Sequence, residues 1–121
     1  MKIYRVIYLF IIVLISCDNK PINFEEYIKN NIFINKEILE NNIYQIGNLN
    51  YKKIRIIYDD EGTYSSIYEN PNNNNKIFDI KYWTKIIPIE IIFINGKFWV
   101  NIKTKDNRNG WVKAKYIEIF L

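Results

Sequence analysis

The sequence predicts a small all-β domain that follows an export signal and a short tether. Three observations support this prediction. Residues 1–16 combine positive charge with an unbroken apolar stretch, residues 17–50 are polar and rich in asparagine, and from residue 51 short apolar runs alternate with turn-forming residues. Apolar runs of this kind, separated by glycine, proline and asparagine, are typical of β-strands. The 121 residues therefore divide into a signal peptide (1–16), a tether (17–50) and a β-domain (51–121), and we expect the last to fold on its own.

The first sixteen residues have the pattern of a secretory signal. Lys2 and Arg5 supply a positive flank, residues 6–15 are apolar without interruption, and the run ends at the small residue Ser16. A membrane-spanning helix is the alternative, but it needs about 20 apolar residues. The length of the run therefore favours export with cleavage over a permanent helical span.

The end of the signal carries a short motif, Leu14-Ile15-Ser16-Cys17. It resembles the lipobox of bacterial lipoproteins, which implies cleavage before Cys17 and acylation of its side chain. The resemblance implies more than one acyl chain, and this matters because a single chain binds a membrane only marginally. We expect a lipid-anchored protein of the bacterial cell envelope. A free thiol is the alternative for Cys17.

Charge and composition exclude several classes of function. The chain has 17 basic and 13 acidic residues, and without Lys2 and Arg5 the basic count falls to 15. This excess is too small for a nucleic-acid surface, so we expect no nucleic-acid partner. Cys17 is the single cysteine, which excludes an intramolecular disulfide. The absence of histidine excludes a histidine general base and a Ser-His-Asp triad.

The acidic residues do not form a recognisable catalytic or metal-binding pattern. No motif spacing pairs Glu90 with Asp79 or Glu118 as general acid and base. The run Asp59-Asp60-Glu61 lacks the spacing of a calcium loop. We therefore expect no catalytic residues, no metal and no cofactor.

The tether carries a helical pattern. Phe24, Ile28 and Ile32 recur at four-residue steps, which suits an amphipathic helix. Asn23 and Glu26 have the spacing of a capping box, and Asn30-Asn31 is the expected stop. A second apolar face is offered by Ile38, Leu39, Ile43 and Ile46 and is closed by Gly47, so we expect one or two short helices in the tether. Two roles remain open for this segment, a spacer that holds the domain off the membrane and a lid packed on the β-domain.

Five apolar runs predict the strands of the β-domain. They cover residues 54–58, 64–68, 86–94, 98–104 and 110–112. Turn residues separate them at Asp60-Glu61-Gly62, Asn70-Pro71-Asn72, Asn95-Gly96 and Asn107-Arg108-Asn109-Gly110. Asn95-Gly96 between two apolar runs is the strongest hairpin signal.

The C-terminal half of the β-domain resembles bacterial SH3 domains. The resemblance rests on Trp99-Val100-Asn101-Ile102-Lys103-Thr104, Gly110-Trp111-Val112 and Lys115-Tyr116-Ile117. Upstream, Ser66-Ile67-Tyr68-Glu69-Asn70-Pro71 is similar to the first strand of the family and its turn proline. In two places the sequence departs from the family, since Tyr68 stands where arginine is common and Tyr82-Trp83-Thr84 lacks the usual turn glycine. The resemblance implies a small SH3-like barrel that covers about residues 63–120.

Strand alternation predicts which side chains pack and which bind. Phe98, Val100 and Ile102 share one face, which we expect to be core together with Val112, whereas Trp99 lies on the other face. Trp99 is then a recognition platform, or it caps a barrel end or packs on the N-terminal helix. The resemblance pairs Trp99 with Tyr116 as the leading groove residues. The further candidates for the ligand-binding surface are Trp111, Trp83 and Tyr68, with Tyr64 and Tyr82 beside them.

The function expected from these features is ligand binding without catalysis. The family resemblance implies ligands such as peptidoglycan stems or extended, proline-containing peptides. The alternative is a structural or assembly subunit that docks on another envelope protein through the same aromatic face.

Overall fold

The computed structural model of the chain describes residues 21–47, 49, 53–56, 62 and 64–120. The predicted signal peptide, Cys17 and the acidic run Asp59-Asp60-Glu61 lie outside the described residues. Within the described ranges the chain is mostly β-sheet and has one short α-helix, which confirms the all-β class.

The described elements follow one another along the chain with short connections. The strands are β1 (Pro21–Asn23), β2 (Ile43–Gln45), β3 (Lys53–Ile56), β4 (Tyr64–Tyr68), β5 (Lys76–Lys81), β6 (Ile87–Ile94), β7 (Lys97–Lys103), β8 (Asn109–Lys113) and β9 (Ile117–Phe120). Helix α1 (Phe24–Tyr27) runs directly into a π-helical turn (Ile28–Ile32), and a 3₁₀ turn (Ala114–Tyr116) joins β8 to β9.

The strands form two antiparallel sheets. One has the order β1-β9-β3 and the other the order β2-β6-β7-β8-β4-β5. Backbone hydrogen bonds connect β3 to the segment that leads into β6, from Ile86 N–H to the Ile54 carbonyl (3.1 Å) and from Ile56 N–H to the Thr84 carbonyl (2.9 Å). Among the described residues the strands do not close into a complete barrel. The two sheets are nevertheless joined at this edge.

The predicted hairpin at Asn95-Gly96 is confirmed. The pair Ile94 and Lys97 closes a two-residue loop between β6 and β7. Both loop residues have positive φ, 51° at Asn95 and 75° at Gly96. This is the backbone of a turn whose twist matches that of the flanking strands, and asparagine followed by glycine adopts it readily.

The predicted core face of β7 is also confirmed. Phe98, Val100 and Ile102 are at most 3% exposed, and Val112 packs beside them from β8. Val100 and Val112 are cross-strand partners, so their side chains point to the same face. Isoleucines from β3, β4, β5, β6 and β9, and from the residue before β6, also belong to this main core, namely Ile54, Ile56, Ile67, Ile80, Ile86, Ile91, Ile117 and Ile119.

The first half of the predicted tether is part of the folded domain. The Asn23 side chain caps helix α1 by accepting a hydrogen bond from Glu25 N–H (3.0 Å), as the sequence predicts for an N-cap. The helical path does not stop at Asn30-Asn31 but continues as the π-helical turn to Ile32. Phe24 and Ile28 are fully buried in the main core. A spacer is therefore the wrong description of residues 21–47, and the packed alternative holds.

Of the one or two helices expected in the tether, only the first forms among the described residues. Ile43–Gln45 forms strand β2, which pairs with β6 through Ile43 and Ile92, Tyr44 and Ile91, and Gln45 and Glu90. The free edge of β6 offers backbone hydrogen bonds to this segment, and isoleucine and tyrosine suit a strand, so tertiary pairing overrides the helical spacing. The domain thus begins well before residue 51.

Two further differences concern the second half of the chain. Strand β5 pairs with β4 along its length, although the sequence analysis assigned no strand there. The turn after β7 lies at Thr104–Arg108, where Thr104 N–H donates to the Arg108 carbonyl (2.9 Å), and Asn109 and Gly110 belong to β8. In both segments charged residues or asparagines stand among the apolar ones, so the sequence pattern does not mark where these strands begin.

Candidate functional site

Three of the five predicted ligand-binding residues lie together on the face of the larger sheet that points away from the main core. Tyr68 and Trp111 are cross-strand partners on β4 and β8. The ring of Tyr68 meets that of Trp99 edge to face, with centroids 5.7 Å apart. Tyr68, Trp99 and Trp111, with Ile92 and Ile94 of β6, form what we call the outer aromatic cluster.

Trp99 is not an exposed platform. Its side chain is 8% exposed, because Ile92 and Ile94 pack against it and Tyr68 and Trp111 cover its flanks. The Lys113 ammonium lies 5.7 Å from the centroid of its ring. The expectation of an open recognition surface at Trp99 is therefore wrong. Trp99 packs instead, but against side chains of neighbouring strands and not on the N-terminal helix.

A polar network adjoins the outer aromatic cluster. Glu90 accepts hydrogen bonds from the Asn101 amide (2.9 Å) and from the Gln45 amide (2.8 Å). Asn101 is the cross-strand partner of Trp111 and is 9% exposed. Its Oδ1 is buried without a hydrogen-bond partner among the described residues. Glu90 is thus held in place by two amides of neighbouring strands.

Tyr116 lies elsewhere. It is half-buried against the main core, whereas Trp99 belongs to the outer aromatic cluster. The Lys115 ammonium is 5.0 Å from the centroid of the Tyr116 ring. The structure therefore does not bring Trp99 and Tyr116 into one groove.

Trp83 is the most exposed of the five leading candidates for the binding surface, at 46%. Its backbone has φ of 73°, a left-handed conformation that favours glycine, and its N–H donates to the Ile56 carbonyl (2.7 Å). The ring contacts Phe120 edge to face at 5.4 Å and Tyr82 at 5.6 Å. Tyr82 is itself 43% exposed, so the two rings form an exposed aromatic pair on the turn between β5 and β6.

The turn that carries this pair also forms one wall of a cleft of about 510 Å³. The opposite walls are the hairpin β4–β5 and the loop Thr104–Arg108. The lining side chains are mostly polar or charged, and they are Tyr64, Asp79, Ile80, Lys81, Thr84, Lys85, Thr104, Lys105, Asp106 and Arg108. Of these residues the sequence predicts only Tyr64 as a binding residue, because the lysines come from three separate segments that only the fold brings together.

The acidic groups of the cleft are already engaged. Asp79 accepts from the Lys76 ammonium (3.3 Å), and Asp106 pairs with the Arg108 guanidinium (2.8 Å). The Thr104 hydroxyl, followed by the Arg108 guanidinium, holds the pKa of the Asp106 carboxyl below its ordinary value by hydrogen bonding to the ionised form.

In the part of the chain that the structure describes, no three acidic, cysteine or histidine side chains are grouped as metal ligands would be. The helical segments described are too short and too polar to cross a bilayer. Comparisons of the chain with protein-family models, with curated proteins and with solved structures found no significant match.

Proposed function

We propose that the protein is an envelope lipoprotein, anchored through Cys17, whose SH3-like barrel binds cell-wall or peptide ligands without catalysis. The observation that carries the proposal is the exposed, backbone-strained Trp83. The lipid anchor rests on the signal and the lipobox-like motif at its end.

The proposal of a barrel is based on the way the chain connects its two sheets. The hydrogen bonds from β3 to Ile86 and Thr84 continue the smaller sheet into the larger one. The two tryptophan segments that carry the family resemblance lie on the neighbouring strands β7 and β8, where Trp99 and Lys113 face each other. The 3₁₀ turn that holds Tyr116 then leads into β9. This order supports a barrel topology over a flat sheet.

Trp83 favours a binding role over a packing role. A left-handed backbone costs a non-glycine residue of order 1–3 kcal/mol, and such strain concentrates at functional positions. Large exposed aromatics supply much of the contact energy at binding surfaces. Because nearly half of Trp83 is open to solvent, its contacts with Phe120 and Tyr82 use only part of the ring. The remainder is the surface we assign to the ligand.

The test is retention of the full chain, solubilised in detergent, on purified cell-wall material. Trp83→Gly suits the backbone conformation, so the strain it relieves offsets the ring contacts it loses and the melting temperature changes little. Loss of an aromatic contact residue typically costs about 2 kcal/mol or more of affinity, so retention falls by more than about tenfold. Leu39→Ala, which removes a side chain that is 51% exposed, is the matched control and keeps both properties.

Unchanged retention of the Trp83→Gly variant would contradict the assignment of Trp83 to the ligand. If the variant instead keeps its wall retention and loses chemical crosslinking to another envelope protein, the assembly role replaces the wall-binding one.

A further inference from the structure

We infer that the cleft between the hairpin β4–β5 and the loop Thr104–Arg108 is a binding site for a phosphate group. The inference is independent of wall binding through Trp83, because it rests on other side chains and on charge.

The cleft carries unbalanced positive charge. Lys81, Lys85 and Lys105 line it, and among the described residues none of the three has an ion-pair partner. Its two carboxylates are already paired with other cations, Asp79 with Lys76 and Asp106 with Arg108. The cleft therefore carries a net positive charge, and a cleft with an excess of one sign of charge attracts ligands of the opposite sign.

The neighbourhood of Lys85 reinforces this charge. Lys85 faces Arg55 across an antiparallel bridge, and directly opposed like charges are destabilising. Glu118 lies opposite Arg55 on β9, where its charge can offset one of the two cations, although the two side chains form no ion pair. An anion in the cleft would compensate the other.

The number of unpaired cations favours phosphate over carboxylate. Arginine matches both anions with its two-pronged guanidinium, and lysine acts as a point charge, so the type of cation does not separate them. A phosphate monoester offers about −1.5 to −2 charge and three acceptor oxygens to several lysines, which is more than a carboxylate offers. Arg108, the arginine of the cleft, is engaged, since its Nε bonds Asp106 and its guanidinium lies 4.4 Å from the centroid of the Phe78 ring. Among the described residues, the cleft cations without an ion-pair partner are the lysines.

The dimensions of the cleft admit more than the phosphate itself. Its volume of about 510 Å³ is that of a small-molecule site. Tyr64 is 52% exposed and is the cross-strand partner of Lys81, so an aromatic surface lies beside the charge. The ligand class is therefore a phosphate ester, either a soluble one or the headgroup of a membrane lipid.

The test titrates the detergent-solubilised full chain and follows the amide chemical shifts of the cleft residues. The soluble probes are inorganic phosphate and glycerol 3-phosphate, with glutamate as the carboxylate probe. The lipid probe is phosphatidylglycerol added to the detergent micelles, with phosphatidylcholine for comparison. Saturable binding of a soluble phosphate identifies the free source, and a response to phosphatidylglycerol alone identifies the headgroup. Either result supports the site.

Two double variants distinguish phosphate binding at the cleft from a general effect of positive surface charge. Lys81→Gln with Lys85→Gln removes two cleft lysines, and we expect the dissociation constant of the bound phosphate probe to rise by about tenfold or more, because each lost charge-assisted contact is substantial. Lys36→Gln with Lys97→Gln removes the same charge at exposed positions that do not line the cleft, and leaves binding within about twofold. Equal weakening in both variants, glutamate binding as tightly as phosphate, or no saturable binding of any phosphate probe would each overturn the inference.

Discussion

Gly110 shows how a single residue fixes the approach of two strands. A Cβ atom at this position would contact the Ile67 side chain and would lie 3.1 Å from the Tyr68 carbonyl oxygen. Both neighbours belong to β4, which pairs with β8 at this point. Glycine in the motif Gly110-Trp111-Val112 is therefore required by packing, since its φ is not in the left-handed region.

Gly110→Ala is expected to destabilise the protein by about 1–3 kcal/mol, the usual cost of forcing an extra carbon into a packed interior. Thermal unfolding of the full chain measures this as a fall of several degrees in the melting temperature. Gly47→Ala is the control, because a Cβ at Gly47 has no neighbour within 4 Å. A Gly110→Ala protein as stable as the Gly47→Ala protein would mean that β4 and β8 are further apart than described.

Asp106 gives a prediction about pH. Its lowered pKa means that the folded state favours the ionised carboxylate, so its contribution to stability is complete above the ordinary pKa of about 3.9 and is lost as the pH falls through the lower folded value. Removing the hydroxyl in Thr104→Val should raise the pKa of Asp106 towards the ordinary value, whereas Thr104→Ser should preserve it. Carboxyl chemical shifts followed against pH measure the change, and identical titrations in both variants would refute the role of Thr104.

At Trp83 the sequence shows that the usual turn glycine is missing, but it does not show the backbone conformation that Trp83 adopts there. The missing turn glycine is visible in Tyr82-Trp83-Thr84, and the structure places Trp83 at the positive φ where a glycine would fit. Trp99 shows the opposite case, because strand alternation correctly sends it away from the main core yet does not reveal the side chains that cover it. The side chains that cover Trp99 come from β4, β6 and β8. The order of the strands in the sheet places them there, and a local sequence pattern does not contain that order.

Among the elements, the N-terminal segment changes most between expectation and structure. The spacing of Phe24 and Ile28 predicts a buried helical face, and both are 0% exposed. What the spacing does not predict is the partner, which is the core of the β-domain itself. β1 adds to the edge of β9 and β2 to the edge of β6, so these strands cover edges that would otherwise be open.

Phe24→Ala is expected to cost about 3–5 kcal/mol of stability, as for other large aromatics removed from a core. Ile102→Ala, from the centre of β7, should cost about 2–5 kcal/mol and serves as the comparison. Ile34→Ala in the same N-terminal segment is 60% exposed and should change stability by less than about 0.5 kcal/mol. An unchanged melting temperature in Phe24→Ala, alongside a clear fall in Ile102→Ala, would return the segment to the role of a spacer.

The difference between local sequence patterns and contacts made by the fold also explains which strands the sequence predicts. The hairpin β6–β7 has alternating apolar residues and a turn whose positive φ values suit Asn-Gly, so the local sequence is sufficient to predict this hairpin. β5 lies at an edge of the larger sheet with mostly exposed side chains, and its sequence pattern is correspondingly weak.

The lysines of the cleft do not differ from other surface lysines in the sequence. Only the pairing of β5 with β4 and the position of the loop Thr104–Arg108 bring them together.

For the whole molecule, the proposed lipid anchor is the feature on which the expected location depends. We expect mass spectrometry of the membrane fraction to find a mature N-terminus at Cys17 carrying acyl chains. The apolar run over residues 6–15, which ends in the motif Leu14-Ile15-Ser16-Cys17, has the pattern of a cleaved lipoprotein signal. Cys17→Ser is the control and should abolish the acylated form. An intact Met1 terminus, or an unmodified Cys17, would refute the anchor.

The central claim is that the protein binds its ligand through the exposed Trp83 while Trp99 and Trp111 serve the outer aromatic cluster. The chain has three tryptophans, so its indole N–H signals in a nuclear magnetic resonance spectrum report on each separately. Titrating the detergent-solubilised full chain with solubilised cell-wall fragments should shift the Trp83 signal and leave those of Trp99 and Trp111 in place. A Trp83 signal that stays fixed at saturating fragment, or movement confined to Trp99 and Trp111, would contradict the claim.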